Sequence, residues 1–172
     1  GLSTASGGYA QIRTYRCFPV YGTFGIWAES QIQITQAPVA NNQIEIGLFL
    51  AATNAAPTDG IFMRINAAGD ARLVINFAGT ETLSDAFSAA TYLPAGVTKK
   101  LVLGIFSDKT ELWIDDVKIK SVAAPAGQGD VTASAMLPWA ARTVNTGVTA
   151  VAQSVKIGMV NVTLADANIA KL

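Results

Sequence analysis

The sequence predicts an all-β protein in which two antiparallel sheets pack face to face. Apolar residues recur with a period of two along nearly the whole chain, and no stretch keeps a helical period over three turns. About ten such segments are separated by turns rich in Gly, Pro, Asn and Asp, which is typical of sandwiches and barrels. One segment is apolar on both faces and others on one face, a mixture that favours two packed sheets.

One domain accounts for the chain. The 172 residues, of which 51% are apolar, contain enough material for a single core. We predict an N-terminal arm and first strand over residues 1–20, followed by the sandwich over residues 21–172. The single cysteine, Cys17, excludes a disulfide framework within the chain, and its aromatic neighbours indicate a buried small side chain.

Two strands open the sandwich, over residues 24–35 and 43–52. Each alternates, so one face of each strand is apolar and is expected to face the core. A loop over residues 54–60, punctuated by Pro and Gly, leads to the next strand. The residues predicted to face the core are Ile26, Ala28, Ile32, Ile34, Ile44, Ile46, Leu48 and Leu50.

A hairpin is predicted over residues 60–77. A three-residue loop over 68–70, with Gly69 in the left-handed region, brings six apolar residues onto one face. The cross-strand pairs on that face are Ile65 with Leu73, Met63 with Ile75, and Ile61 with Phe77. The opposite face carries Phe62, Arg64, Asn66, Arg72, Val74 and Asn76.

The second half of the sequence begins with a weakly patterned connection over residues 78–96, which has room for one short strand. Residues 98–106 form a strand that is apolar on both faces from Leu101 on, so it belongs in the middle of a sandwich. Residues 123–135 form a long loop. The next segment, 136–145, is expected to be a broken edge strand because Pro138 cannot donate to a ladder.

The last strand is predicted over residues 154–164, with Val155, Ile157 and Met159 on its inner side. Before it, a three-stranded meander is predicted around tight turns at Asp108–Lys109 and Asp115–Asp116. The pairs around the two turns are Ile105 with Leu112, Leu103 with Ile114, Ile114 with Val117, Trp113 with Lys118, Leu112 with Ile119, and Glu111 with Lys120. Trp113 then lies opposite Gly104, which an indole could cover.

The composition excludes several classes of function. Without histidine there is no Ser-His-Asp or Cys-His catalysis and no imidazole metal site. The basic residues are scattered, which argues against nucleic-acid binding, and no apolar run is long enough to span a membrane. Charged residues make up only 14% and the net charge is zero, so we expect much of the surface to be covered in an assembly. No cofactor is expected.

The acidic residues are predicted to be structural. Glu111 and Asp115 lie four residues apart on one face, a spacing that a pair of glycosidase carboxyls can use. However, Lys120 is placed to neutralise Glu111 and Asp115 lies at a turn, while Glu45 stands alone in its strand. We therefore expect no enzyme activity. Isolated turn acids without Asp-x-Asp spacing also predict no metal site; these are Asp59, Asp70, Asp85 and Asp130.

Three groups of residues are candidates for binding. The outer face of the 60–77 hairpin combines an aromatic ring with polar groups that suit a sugar or a protein neighbour; these residues are Phe62, Arg64, Arg72 and Asn76. Trp139 and Arg142 are of the types that anchor interfaces, although Trp139 could equally plug the end of the sandwich. Trp113, or Trp27, could contact a sugar or a subunit.

Four segments carry a family resemblance: "TDGIFMRINAAGDARLVINFAGTET", "KKLVLGIFSDKTELWIDDVKI", "LPWAARTVNTG" and "SVKIGMVNVTL". In this order they resemble laminin-G or concanavalin A-like jelly-roll modules, in particular those of structural proteins of tailed-phage virions. In such modules an "x-W/Y-I-D-D/G-x" segment is a hairpin and "R-x-x-N-T-G" precedes the last long strand. The resemblance covers residues 24–164 and lacks the calcium-ligand pattern of laminin-G modules.

The resemblance implies a two-sheet jelly roll with a binding or display role. From it we expect a non-enzymatic protein on the phage virion surface, a capsid decoration or head-fibre subunit that stabilises the shell or displays a lectin-like module. Its partners would be the major capsid protein or another virion protein, its own copies in a homo-oligomer, and a glycan. The alternative is a carbohydrate-binding adhesion module of a tail or cell-surface protein.

Overall fold

The computed structural model describes residues 4–20, 25–67, 69–148 and 153–165, and it confirms an all-β fold of two antiparallel sheets. Its elements are β1 (Tyr9–Pro19), β2 (Gly25–Ile34), β3 (Asn42–Leu50), β4 (Asp59–Ile65), β5 (Asp70–Phe77), β6 (Thr80–Leu83), β7 (Phe87–Ser88), α1 (Ala89–Tyr92), β8 (Thr98–Ile105), β9 (Lys109–Ile114), β10 (Val117–Ala123), β11 (Met136–Asn145) and β12 (Val155–Ala165). The connection predicted over 78–96 thus contains two short strands and one helical turn.

The strands form a seven-stranded and a five-stranded sheet. The seven-stranded sheet has the order β1-β11-β3-β4-β5-β6, with β7 also paired to β5, and the five-stranded sheet has the order β10-β9-β8-β2-β12. β8 is central in its sheet, between β9 and β2. Within the described ranges, no helix has the length and apolar character to cross a membrane.

The core lies between the two sheets and is made by the alternating residues of both. The residues predicted to face it on β2 and β3 are at most 3% exposed, apart from Leu50, which is partly buried against the same cluster. Leu101, Leu103, Leu112 and Ile114 meet them from the five-stranded sheet. The period-two pattern therefore identified the buried faces correctly.

The β4–β5 hairpin keeps the predicted faces but shifts the register by two residues. Ile61 pairs with Ile75, and Met63 pairs with Leu73. The predicted loop over 68–70 is wrong, because the Asn66 N–H already bonds the Asp70 carbonyl at 2.9 Å. Gly69 has φ 79°, so it is the left-handed last residue of the loop rather than its middle residue.

The β8–β9 pairing is also shifted by two residues. Leu103 pairs with Leu112, and the Phe106 N–H bonds the Lys109 carbonyl at 2.9 Å, so the turn lies one residue earlier than predicted. Gly104 therefore does not face Trp113. The indole of Trp27 on β2 covers it instead, and a Cβ at Gly104 would lie 2.9 Å from that ring.

The β9–β10 hairpin has the predicted tight turn, since Asp115 and Asp116 have φ of 47° and 65°. The pairs of Ile114 with Val117 and Trp113 with Lys118 are confirmed. Beyond them a bulge between Lys118 and Lys120 changes the register, so the predicted pairs of Leu112 with Ile119 and Glu111 with Lys120 are wrong. Val117 is 59% exposed, although its partner Ile114 is buried.

Two predictions about the last strands are wrong. β11 is not an edge strand but lies between β1 and β3. Pro138 is tolerated there because β1 bulges between Arg13 and Cys17, so the missing N–H falls where the ladder is already irregular. On β12, a bulge after Ile157 leaves Met159 41% exposed, while valines 160 and 162 pack inward instead.

Candidate functional site

A polar groove runs across the outer face of the seven-stranded sheet. Three adjoining cavities of about 300, 560 and 220 Å³ share the side chain of Gln43 on β3. Alternation along β3, β4 and β5 turns polar residues to this face, and the loop before β4 adds an amide. The residues that define the groove are Gln43, Asn54, Arg64, Arg72, Asn76 and Glu81.

A buried carboxylate forms the floor of the groove. Glu45 is 1% exposed and lies on β3 between Arg64 of β4 and Arg142 of β11. Arg64 Nε donates to one of its oxygens at 2.7 Å and Arg142 Nε donates to the other at 2.5 Å. Each oxygen thus has its own guanidinium, so this buried charge is compensated on both sides.

Glu81 on β6 extends the network towards solvent. Arg64 donates Nη1 and Nη2 to its two oxygens at 2.8 and 2.7 Å, a bidentate geometry. The hydrogen bond from Arg64 lowers the pKa of Glu81, although burial opposes the change. Burial tends to lower the pKa of Arg64. The hydrogen bonds and charge interactions that Arg64 makes with Glu81 and Glu45 outweigh burial, so the pKa of Arg64 is raised. Both groups are therefore held charged.

Two phenylalanine rings lie beneath the arginines. Phe49 and Phe62 are at most 1% exposed, and their ring centroids are 5.3 Å apart. The Arg64 guanidinium lies 5.2 Å from the Phe62 centroid, and that of Arg142 lies 5.7 Å from the Phe49 centroid. Gly60 permits this packing, because a Cβ there would be 2.4 Å from the Phe49 Cβ.

Backbone contacts hold the loops at the rim of the groove. Asn76 Nδ2 donates to the Pro57 carbonyl at 2.7 Å, and Arg72 Nη1 donates to the Ser84 carbonyl at 2.8 Å. Arg142 Nη1 also reaches the loop after β3 through the Thr53 carbonyl at 3.2 Å. The polar side chains are therefore fixed before any ligand arrives.

The groove brings together most of the residues that the sequence indicated for binding. Arg64, Arg72 and Asn76 line it, as does Arg142, and the ring of Phe62 lies under Arg64. Trp139 lies elsewhere, 2% exposed within the core. Trp113 lies on the other sheet, in β9.

Sequence reasoning missed Gln43, Phe49, Asn54 and Glu81 as members of the site. The signal for Gln43 was available, because alternation in β3 turns it outward together with Glu45. Glu81 lies in a segment with weak patterning, so nothing in the sequence connected it with Arg64.

Two acids that the sequence analysis weighed, Asp59 as a metal ligand and Glu111 as a catalytic carboxyl, make structural contacts. Asp59 is 5% exposed and accepts hydrogen bonds from the backbone N–H groups of Ala133 and Ser134, which ties down the long loop before β11. Glu111 is paired with Lys109 at 3.1 Å and Lys118 at 3.5 Å. Across the described ranges, no group of three or more acidic or cysteine side chains could hold a metal ion.

The Arg64–Glu81 pair predicts loss of stability in acid. The pKa of Glu81 is lower in the folded state than its ordinary value of 4.5, so its stabilising contribution is present above pH 4.5 and is lost as the pH falls through the folded pKa. We expect the melting temperature to fall between neutral pH and pH 3, and Glu81→Gln to flatten part of this fall. Scanning calorimetry measures the melting temperature as a function of pH, and the variant of an exposed acid, Asp85→Asn, is the control. If the melting temperature falls equally with pH in the wild type and in Glu81→Gln, the prediction is contradicted.

The fold is shared with proteins that act on or bind carbohydrates. The chain is similar to the carbohydrate-binding module CBM66 from Bacillus subtilis, with 13% identity, a TM-score of 0.54, and coverage of 90% of this chain and 81% of that one. A β-glucanase of Bacillus licheniformis has 9% identity and a TM-score of 0.62, covering 90% and 70%. The metal-free carbohydrate recognition domain of Emp46p has 8% identity and a TM-score of 0.58, covering 94% and 80%.

No family model and no curated protein sequence matches the chain. At these identities the structural similarity establishes the fold alone, a concanavalin A-like jelly roll of the kind found in carbohydrate-binding and glycoside hydrolase proteins. The predicted fold class is thereby confirmed.

Proposed function

We propose that this protein is a non-catalytic carbohydrate-binding module and that the groove on the seven-stranded sheet holds the glycan. The observation that carries the proposal is the set of amide and guanidinium groups held rigidly around one open groove. Glycan hydroxyls both donate and accept hydrogen bonds, and they match the amide of Gln43 and the guanidinium of Arg72, while the buried Asn76 holds the rim loop. The proteins of similar fold that are carbohydrate-binding by name support this assignment.

The electrostatics of the groove favour binding over hydrolysis. A glycosidase acid needs a raised pKa so that it can give up a proton near neutral pH. Arg64 instead lowers the pKa of Glu81, and Glu45 is enclosed between two guanidinium groups. Both carboxylates serve to orient arginines, so we propose no reaction at this site.

Binding in the groove is tested by removing side chains that face the open space without touching Glu45. We expect Gln43→Ala and Arg72→Ala each to weaken the affinity for a glycan identified on an array by about tenfold, which corresponds to about 1.4 kcal/mol. Calorimetric titration measures the affinity. Gln31→Ala and Arg16→Ala, exposed residues outside the groove, are the matched controls. Unchanged affinity in both groove variants, or no bound glycan on the array, would remove the proposal.

A second candidate function is the structural role on a phage virion that the sequence resemblance implies. Exposed apolar residues at the open edges favour it, because Ile12 and Tyr15 on β1 are 58% and 106% exposed and Leu164 on β12 is 52% exposed. A low-charge chain with apolar edges suits burial against its own copies and a capsid protein. In this role the protein would be located on the virion, and its groove would be the glycan-binding site that the virion displays.

The virion role is tested by co-sedimentation with phage capsids and by light scattering of the purified chain. Retention on capsids together with a homo-oligomeric mass supports it. A chain that stays monomeric and does not co-sediment would exclude it while leaving the glycan-binding proposal intact.

A further inference from the structure

A second cleft lies on the outer face of the five-stranded sheet, opposite the groove. Its volume is about 400 Å³, and Trp27, Val102 and Trp113 form its apolar part. Glu29, Lys100 and Asp116 complete its lining. We call these six residues the aromatic cleft. All three apolar side chains are partly exposed, so the cleft presents indole surface to solvent.

The indole of Trp27 is held in place from several sides. It packs over Gly104, and its ring lies 5.5 Å from that of Phe106 with an interplanar angle of 83°. The ring of Trp113 lies 6.4 Å away at 63°. These edge-to-face contacts fix the orientation of the aromatic surface before a ligand binds.

Trp113 is fixed by polar contacts. Its Nε1 donates to Glu111 Oε2 at 3.3 Å, and Lys118 Nζ lies 5.8 Å from its ring centroid. Burial tends to raise the pKa of Glu111, but the hydrogen bond and charge of Lys109 and the charge of Lys118 outweigh this and lower it. The carboxylate that orients Trp113 therefore stays ionised.

The charges around the aromatic cleft balance. Asp116 forms an ion pair with Lys100, and Glu111 forms ion pairs with Lys109 and Lys118. The lining and the ion pairs of Glu111, which holds Trp113, together contain three carboxylates and three ammonium groups. A site without net charge gives no preference to an anion or a cation, so its occupant is expected to be neutral.

The occupant must also be amphipathic. One side of it would lie on indole and valine, and its edge would meet carboxylate and ammonium groups that accept and donate hydrogen bonds. A pyranose ring has this character, since its C–H face is apolar and its hydroxyls project around the rim. We propose that the aromatic cleft binds a neutral pyranose unit, as a glycan-binding site separate from the groove.

This proposal does not depend on the groove, because the two surfaces lie on different sheets and share no residue. If both bind, one chain contacts two glycan strands, and the second contact raises the overall affinity for a surface that carries many glycans.

Nuclear magnetic resonance of the ¹⁵N-labelled full chain tests the aromatic cleft directly. The three tryptophans give three indole N–H signals, and Trp139 is buried in the core as an internal control. A panel of neutral gluco-, manno-, galacto- and xylo-oligosaccharides is added at millimolar concentration. We expect at least one sugar to shift the indole signals of Trp27 and Trp113 but not that of Trp139. The Nε–H signals of Arg64 and Arg142 report the groove separately.

Variants assign the shifts to the aromatic cleft. Trp113→Leu keeps an apolar side chain but removes the ring, and Glu29→Ala removes a rim carboxylate without touching the packing over Gly104. Each is expected to weaken the sugar affinity read from Trp27 by about tenfold, while Gln43→Ala leaves it unchanged. The proposal is overturned if no sugar in the panel moves the Trp27 and Trp113 signals, or if those signals move only with protein concentration, which would indicate self-association.

Discussion

Glu45→Ala is expected to lower the free energy of unfolding by about 3–5 kcal/mol, because it breaks a buried ion-pair network. The carboxylate is 1% exposed, and it neutralises Arg142, which is 3% exposed, as well as Arg64. Its removal leaves the Arg142 guanidinium buried without a counter-charge. Arg64 loses one of its two carboxylate partners but retains Glu81.

Urea unfolding of Glu45→Ala and of the control Glu81→Ala measures this effect. Glu81 also pairs with Arg64, but its side chain is 26% exposed, so water replaces part of the interaction. We expect the control to lose much less stability, on the order of 1 kcal/mol. Equal losses in the two variants would show that burial of the Glu45 charge is not what makes it important.

Phe62→Ala is expected to cost about 3–5 kcal/mol, because it empties a fully buried aromatic site. Phe62 belongs to a small cluster with Phe49, Val74 and Ala140 on the groove side of the seven-stranded sheet. Its loss also removes the ring under Arg64, so the arginine is expected to lose its fixed orientation and glycan affinity in the groove is expected to fall.

Tyr15→Ala is the matched aromatic control for this prediction. Tyr15 is fully exposed on the edge strand β1, so its removal should change stability by less than about 0.5 kcal/mol. Thermal and urea unfolding measure both variants, and titration of Phe62→Ala with a bound glycan measures the groove. If Phe62→Ala lowers the free energy of unfolding by less than about 1 kcal/mol, the neighbouring side chains fill the vacated space and the prediction is wrong.

The rigid floor and the polar rim of the groove are two parts of one arrangement. Phe49 and Phe62 exclude water from below, and Glu45 and Glu81 fix the guanidinium planes from the sides. Side chains that are already ordered lose little conformational entropy when a ligand binds. This is why Phe62→Ala, one of the two largest predicted losses of stability, is also predicted to weaken glycan binding in the groove.

The predicted registers differ from the observed ones in an instructive way. In both the β4–β5 and β8–β9 hairpins the prediction was displaced by two residues, and the buried faces remained correct. Side chains alternate with a period of two, so a shift of two residues leaves every face unchanged. Only the turn distinguishes such registers, and at Gly69 the left-handed residue ends the loop.

The candidate site was predictable in some of its members but not in its assembly. Arg64, Arg72 and Asn76 were recognised as one face because they belong to one hairpin. Arg142 lies 97 positions from Glu45, and only the pairing of β11 with β3 places them side by side. Likewise, only the pairing of β2 with β8 brings Trp27 into contact with Gly104.

By itself, the sequence determined the two-sheet all-β architecture, the faces that β2 to β5 bury and the turn role of Asp115 and Asp116. These features follow from alternation and turn chemistry, which act over a few neighbouring residues. The tertiary structure alone decided the order of strands, the bulges in β1, β10 and β12, and the joining of Glu45 to two arginines. Those features depend on contacts between residues far apart in the chain, which a local pattern does not specify.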